Sequence, residues 1–181
     1  DGAMAAPGVM EAVELGDRYE IAPSQRLAAF DSGMAEAYAA TDRIDNARKV
    51  FALIAPGHLP NRGLAVAPTR NAAGAYMMWP VASGIVDWPV GIEGSDVLWG
   101  RRPAFIYSIP AGEKVMGSNN QLPTLNESQL IKGFIQPAIQ MVRDLVLVGW
   151  PHRAIRPQNL YYQSGNAGDI MFGDCLASPP G

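Results

Sequence analysis

Histidine and cysteine are scarce in this 181-residue chain, which has two histidines and one cysteine, and His152 and Cys175 both lie near its C-terminal end. His152 and Asn159 lie on a loop that follows an apolar stretch, and Asp174 and Cys175 follow a short apolar strand-like segment. No base stands beside Cys175 in the sequence, so we expect a small buried side chain there rather than a nucleophile. His58 lies in a Pro/Gly-rich loop without a neighbouring Cys or His, which argues against a metal site.

The loop "HRAIRPQN" resembles the catalytic loop of protein kinases, whose pattern is H-R-D-x-x-x-x-N. His152, Arg153 and Asn159 stand in the matching places, after an apolar helix. In that family the aspartate of the pattern accepts the proton of the substrate hydroxyl. Here its position holds Ala154, and a methyl group cannot take a proton. The resemblance therefore implies a loop that retains its scaffold and lacks its catalytic base.

The N-terminal half resembles the nucleotide-binding strands of the same family. The segment "KVFALIA" is similar to the strand V-A-I-K, whose lysine holds the α- and β-phosphates, and the lysine position falls on Ile54. Between Ile54 and Val86 there is no acidic residue to act as the usual partner of that lysine. The segment "FDSGMAEAYAA" corresponds to the glycine-rich loop, with Phe30, Ser32 and Ala35 at the glycine positions. Because glycine lets a backbone approach phosphates closely, we expect a degenerate nucleotide cleft that Phe30 can fill.

The segment "IMFGDCLA" resembles the strand and metal-binding turn of kinases, in one of two registers. In the first, Asp174 is the retained metal carboxylate; in the second, Gly173 replaces it. We prefer the first, because Ile170 and Phe172 then alternate inward as a strand requires. In this register Asn159 and Asp174 could hold Mg²⁺ only together with a nucleotide, since two oxygen ligands from the protein are too few for a hard cation. We expect no resident cofactor or metal, and at best weak binding of ATP with Mg²⁺.

Composition limits the partners and the compartment. The formal net charge is −3 and no basic tract is present, which argues against nucleic acid or an anionic membrane as the main partner. A single cysteine excludes an internal disulfide and fits a reducing compartment, so we expect a cytoplasmic location. No apolar run reaches the roughly 20 residues that span a bilayer. The Ala-rich and Lys-poor usage indicates a bacterial source.

Several strand-like segments precede one helix-like segment, and this order predicts an α+β fold. The kinase resemblance implies the same arrangement, a five-stranded antiparallel N-lobe sheet followed by a partial helical C-lobe. We expect a flexible arm at 1–17, the N-lobe at 18–110 and the partial C-lobe at 111–181. The five strands are expected in "RYEIAPSQRLAAF", "AEAYAATD", "KVFALIA", "GIVDWPVGI" and "RPAFIYSI".

The helix is expected from Asn126 to about residue 148, with Asn126 as its N-cap and Pro137 as a kink or offset. Its apolar residues occupy more than one face, and each such face needs cover. We therefore expect a homodimer, or exchange of elements between copies, through this helix and the segment from Met171 to Pro180.

The resemblance implies a pseudokinase: a kinase-like domain without phosphotransfer that binds, regulates or scaffolds a protein partner or the rest of a larger protein. Two alternatives within the fold stay open. One is a nucleotide-binding switch that uses Asn159 and Asp174, and the other is an enzyme of altered chemistry. A third alternative is an unrelated α+β interaction module whose loop matches by chance.

Overall fold

The main sheet is antiparallel and has six strands. In this computed structural model the described residues are 11–57, 76–110, 112–116, 124–147, 149, 152, 154–162 and 170–174. The strand order is β1-β2-β3-β4-β6-β5. The strands are β1 (Val13–Leu15), β2 (Tyr19–Arg26), β3 (Glu36–Asp42), β4 (Lys49–Ile54), β5 (Ala82–Glu93) and β6 (Asp96–Ser108). All five expected strands are present, but the prediction of a five-stranded sheet is wrong, because the described sheet has a sixth strand.

The additional strand is β1, which lies inside the segment expected to be a flexible arm. Val13 pairs with Ile21 and Leu15 with Tyr19, so β1 extends the sheet beyond β2. Its Val13 side chain is buried, and Leu15 lies against Gly84 of β5 at the other edge. The sheet therefore curls until its two edge strands approach each other. A three-residue strand leaves too short an alternation to be recognised in the sequence.

The two faces of the sheet bury different apolar clusters, because side chains alternate along each strand. The inner cluster fills the concave side of the curled sheet and includes Ile21, Val50, Ile54, Trp88 and Ile106. The outer cluster joins the sheet to the second half of the chain. Its buried members include Phe51, Leu53, Phe105, Tyr107, Met141, Leu145, Tyr161 and Phe172.

Asn126 caps the helix, as its sequence predicts, and the structure shows that the cap is a reciprocal capping box with Gln129. The side chain of Asn126 accepts a hydrogen bond from the N–H of Gln129, and the side chain of Gln129 accepts one from the N–H of Asn126. The helix continues as α1 (Glu127–Leu130), a π-helical segment (Ile131–Ile135) and α2 (Gln136–Leu147). Pro137 has no N–H to donate, and the preceding turn widens, so the predicted offset at this proline is confirmed.

A second sheet of three described strands combines one strand that precedes the helix with two strands that follow it. Its order is β7-β8-β9, formed by β7 (Glu113–Lys114), β8 (Leu160–Tyr162) and β9 (Ile170–Phe172). Phe172 exchanges backbone hydrogen bonds with Tyr76 and Met78, which ties this sheet to the chain preceding β5. Within the described residues, no helix is long and apolar enough to cross a membrane.

Candidate functional site

The expected cleft lies between the outer face of the main sheet and the small sheet. The loop between β2 and β3 enters it as a 3₁₀ turn, Ala28–Phe30. The ring of Phe30 stacks on Phe51 of β4, with ring centroids 4.7 Å apart, and also faces Tyr161 of β8 at 6.3 Å. A side chain at the first expected glycine position therefore occupies the space between the two halves of the chain.

The tip of the same loop is fastened to the second half of the chain. The hydroxyl of Ser32 donates a hydrogen bond to Asn159 Oδ1 at 3.3 Å, and Lys114 Nζ donates to the carbonyl of Asp31 at 2.7 Å. Burial lowers the pKa of Lys114; the Asp31 charge opposes this shift and the Arg156 charge adds to it. The loop is thus held over the cleft by one neutral and one charged contact.

Gly33 allows the loop between β2 and β3 to pass close to Arg156. Its φ is 59°, in the left-handed region, and a Cβ at this position would lie 2.9 Å from Arg156 Nη2. Ala35 forms the other side of this tight turn by exchanging backbone hydrogen bonds with Ser32, and its methyl group is buried in the outer cluster. The glycine of this loop therefore lies one residue away from the position expected by resemblance, and it serves the turn.

Asn159 is buried, and its side chain is fully engaged within the fold. The 3₁₀ turn Pro157–Asn159 directs it inward. Its Nδ2 donates to the carbonyl of Ala154 at 3.0 Å and to that of Asp174 at 2.8 Å, while its Oδ1 accepts from Ser32. The amide oxygen that could face a cation is therefore already bonded to the loop.

Asp174 is also buried, and its carboxylate accepts a hydrogen bond from the hydroxyl of Tyr107 on β6. Tyr107 was not among the residues expected in the site. The alternation in "RPAFIYSI" places it on the same face as Phe105, and that signal could have indicated that it faces the cleft. Burial raises the pKa of the Tyr161 phenol, and the negative charge of the nearby Asp174 adds to this increase.

His152 organises the loop around Ala154. The N–H of Ala154 donates to His152 Nδ1 at 3.1 Å, and His152 Nε2 lies 3.0 Å from the carbonyl of Gly173. Because a backbone N–H can only donate, His152 Nδ1 is the acceptor. The ring hydrogen therefore lies on Nε2, which donates a hydrogen bond to the Gly173 carbonyl. The methyl group of Ala154 is buried where the resemblance places a catalytic base.

The side chain of Ile54 does not line the cleft. The sequence-based expectation that it would do so was wrong by one residue along β4. The side chain of Ile54 lies in the inner cluster with Val50 on the opposite face of the sheet. Phe51 and Leu53 face the cleft instead. The reason is the two-residue period of a strand, in which a shift of one residue moves a side chain to the other face. The cleft-facing side chain at this end of β4 is therefore Leu53, which is apolar.

The structure thus brings together four of the expected site residues, namely Phe30, Ser32, Asn159 and Asp174. Ala35 borders this group, and Ile54 points away from it. Lys114 was not expected in the site, because its sequence neighbours Glu113 and Val115 form no pattern that distinguishes it from an ordinary surface lysine. The predictions for His58, Arg153 and Cys175 lie outside the described residues.

No protein-family model matches the chain, and no curated protein matches it by sequence. Many solved structures match it by shape, among them the following two. The autoinhibited serine kinase domain of the giant muscle protein titin has a TM-score of 0.58 at 14% identity, over 88% of this chain and 45% of that chain. The twitchin kinase fragment of C. elegans has a TM-score of 0.55 at 11% identity, over 89% of this chain and 33% of that chain.

This chain spans less than half the length of either of these two structures. At such low identity the likeness establishes the fold alone, and the fold is protein kinase-like. In the part of the chain that the structure describes, the main sheet, the helix and the β8–β9 pair occur in the order that the sequence resemblance implied.

Proposed function

We propose that this chain is a catalytically inactive, kinase-like domain that serves as a binding, regulatory or scaffolding module. Phosphoryl transfer requires a base for the attacking hydroxyl and a cation on the phosphates. Ala154 supplies no base, and the cleft-facing Leu53 supplies no cation. Both deficits support the absence of phosphotransfer.

The observation that carries the proposal is the position of Phe30. Its ring stacks on Phe51 and reaches Tyr161, so it fills the region through which a nucleotide would pass. An incoming ligand would have to displace an aromatic contact worth about 0.5–1.5 kcal/mol beyond its area burial, together with the two hydrogen bonds of the loop tip. Binding at this cleft would therefore compete with packing inside the fold.

The retained Asn159 and Asp174 favour a second candidate, a nucleotide-binding switch. The two residues lie side by side, since Asn159 donates to the Asp174 carbonyl. Both groups, however, already have partners inside the fold: the amide oxygen accepts from Ser32, and one carboxylate oxygen accepts from Tyr107. These internal bonds favour the module without a nucleotide over the switch.

Nucleotide binding is tested by thermal shift and titration calorimetry with ATP and Mg²⁺. We expect no shift at micromolar ATP and affinity no tighter than about millimolar, or roughly 4 kcal/mol of binding free energy. A Phe30→Ala variant should bind at most about tenfold more tightly, because the aromatic contact that it removes is worth about 0.5–1.5 kcal/mol and the cation on β4 is still missing. A micromolar, Mg²⁺-dependent isotherm that disappears in Asp174→Asn would establish the switch instead.

Phosphotransfer is tested with radiolabelled ATP and a generic protein substrate, against heat-killed protein. No label above that control is expected from the natural chain or from Ala154→Asp alone, because phosphate positioning is also missing. Transfer that is lost in Asn159→Ala would refute the proposal of an inactive domain.

A further inference from the structure

A chain of hydrogen bonds joins the imidazole of His152 to the loop over the cleft. The N–H of Ala154 donates to His152 Nδ1 at 3.1 Å, and the carbonyl of Ala154 accepts from Asn159 Nδ2 at 3.0 Å. Asn159 Oδ1 in turn accepts from the hydroxyl of Ser32, which lies in the loop tip, residues 31–33. Three hydrogen bonds therefore lead from a ring nitrogen to the loop between β2 and β3.

The residues of this chain of hydrogen bonds are buried. His152 is 3% exposed, and its ring meets the ring of Phe172 on β9 edge-on, with centroids 6.1 Å apart. Ala154, Asn159 and Ser32 are buried as well. A buried polar group that loses its partner has no bulk water to replace it, so a change at one bond is passed to the next pair.

The two nitrogens of the His152 ring respond differently to protonation. Nδ1 accepts from Ala154, whereas Nε2 donates to the carbonyl of Gly173. An imidazolium carries a hydrogen on both nitrogens and accepts no hydrogen bond. Protonation therefore leaves the Gly173 contact in place and sets a hydrogen on Nδ1 against the N–H of Ala154.

The charged and titratable groups of the neighbouring described segments act in different ways on this ring. Asp174, in the turn after β9, is negative and favours an imidazolium, whereas burial of the ring opposes one. Tyr107 of β6 donates to the Asp174 carboxylate, and burial raises the pKa of Tyr161 on β8, so both phenols are neutral at neutral pH. The positive groups of Lys114 and Arg156 lie against the loop tip.

We propose that His152 is a pH-sensitive switch for the loop over the cleft. With a neutral ring, the chain of hydrogen bonds is complete and Ser32 stays on Asn159. With a protonated ring, Ala154 loses its acceptor and moves, Asn159 loses the Ala154 carbonyl, and the loop tip is released. This inference is independent of whether the domain transfers phosphate or binds a nucleotide.

The direction of the pH effect follows from the number of bound protons. The closed loop requires a neutral imidazole, so the open arrangement binds one proton more. Since the ordinary pKa of histidine is about 6.5, the closed loop is favoured above this pH and is lost as pH falls below it. One proton changes the opening equilibrium by up to about tenfold per pH unit. The loop should therefore open about tenfold more often at pH 5.5 than at pH 7.5.

Hydrogen exchange measured by mass spectrometry tests the switch on the natural chain. After correction for the intrinsic exchange rate, the amides of residues 27–37 should lose about tenfold in protection between pH 7.5 and pH 5.5. The amides of β4 should keep their protection, because their partners lie within the main sheet. His58→Asn is the matched control, since the chain has two histidines, and its loop should respond like that of the natural chain.

Two variants test the two ends of the chain of hydrogen bonds. His152→Asn removes the titrating ring but keeps an acceptor, since an asparagine side chain can bond the backbone N–H two residues on. Its loop should show the same protection at both pH values. Ser32→Ala removes the last bond, so its loop should be less protected at pH 7.5 and should respond less to pH.

Nitrogen-15 NMR of the natural chain gives a readout that needs no variant. The His152 ring should change from the tautomer with its hydrogen on Nε2 to the doubly protonated form over the pH range in which the loop loses protection. A ring that stays neutral at pH 5.5 would overturn the proposal, as would an unchanged loop in the natural chain. A tenfold response that persists in His152→Asn would assign the pH effect to another group and would also overturn it.

Discussion

An asparagine side chain can bind a cation through its oxygen, but in this fold the Asn159 side chain makes hydrogen bonds that join neighbouring segments. Both of its amide hydrogens have carbonyl partners, at Ala154 and Asp174, and its oxygen receives the Ser32 hydroxyl. A buried polar group left without a partner costs about 1–3 kcal/mol, so these bonds hold the side chain in place. The same geometry requires a glycine at position 173, because a Cβ there would overlap the Asn159 amide.

The first prediction concerns that glycine. Gly173→Ala should lower the free energy of unfolding by roughly 2–4 kcal/mol, because the Asn159 amide must move and lose its partners. Urea unfolding at neutral pH measures this loss. Gly91→Ala is the matched control, since a Cβ at position 91 meets only Leu98 at an ordinary 3.7 Å. The control should change stability by less than about 1 kcal/mol. Equal losses in the two variants would contradict the account of Gly173.

At the scale of elements, Asp42 joins the end of β3 to the start of β2. Its carboxylate accepts from Arg18 Nε at 2.8 Å and from Nη2 at 2.7 Å, and also from the N–H groups of Ile44 and Asp45. The Arg18 guanidinium holds the pKa of Asp42 well below its usual range, while burial acts in the opposite direction. The turn after β3 thus depends on an ionised carboxylate.

The second prediction follows from the sign of that shift. A carboxyl whose folded pKa is lowered stabilises the fold above its unfolded pKa, which is about 3.9, and this contribution is lost as pH falls toward the folded value. The difference in unfolding free energy between the natural chain and Asp42→Asn should therefore be constant near neutral pH and should shrink below about pH 4. Urea titrations across this range measure it. A pH-independent difference at Asp42 would argue against the ion pair.

On the scale of the whole molecule, the outer cluster makes the two halves of the chain one unit. Phe51 and Tyr107 come from the main sheet, whereas Leu145 and Phe172 come from the helix and the small sheet. The loop contact from Ser32 to Asn159 and the backbone bonds of Phe172 add to this union. Loss of a buried side chain in one half should therefore destabilise the other half.

The third prediction tests this union. Unfolding should be a single transition that coincides in far-UV circular dichroism and in tryptophan fluorescence, to which the buried Trp88 of the sheet contributes. Leu145→Ala, at a side chain that is 1% exposed, should shift both signals together by about 2–5 kcal/mol. Leu147→Ala, at a side chain that is 76% exposed, should leave both unchanged. Separate transitions for the two signals would indicate two independent units.

Local patterns in the sequence were sufficient to predict those strands and helix features whose pattern lies within a short stretch of residues. Alternation predicted β2 to β6, and the Asn126 cap and Pro137 predicted the start and the offset of the helix. The order of motifs predicted a kinase-like fold, which the two solved structures support. Whether the domain is inactive and what it binds stay predictions, because no local pattern and no fold likeness measures activity.

The composition of the site was decided by tertiary structure. Ser32 meets Asn159 across 127 positions of sequence, and Tyr107 meets Asp174 across 67. Such contacts leave no periodic signal in either segment, because each partner is chosen by how the sheet, the loop and the small sheet pack. The face of β4 that lines the cleft was decided in the same way. A strand has the same local pattern whichever face is turned to the cleft, and packing of the outer cluster selected Leu53 rather than Ile54.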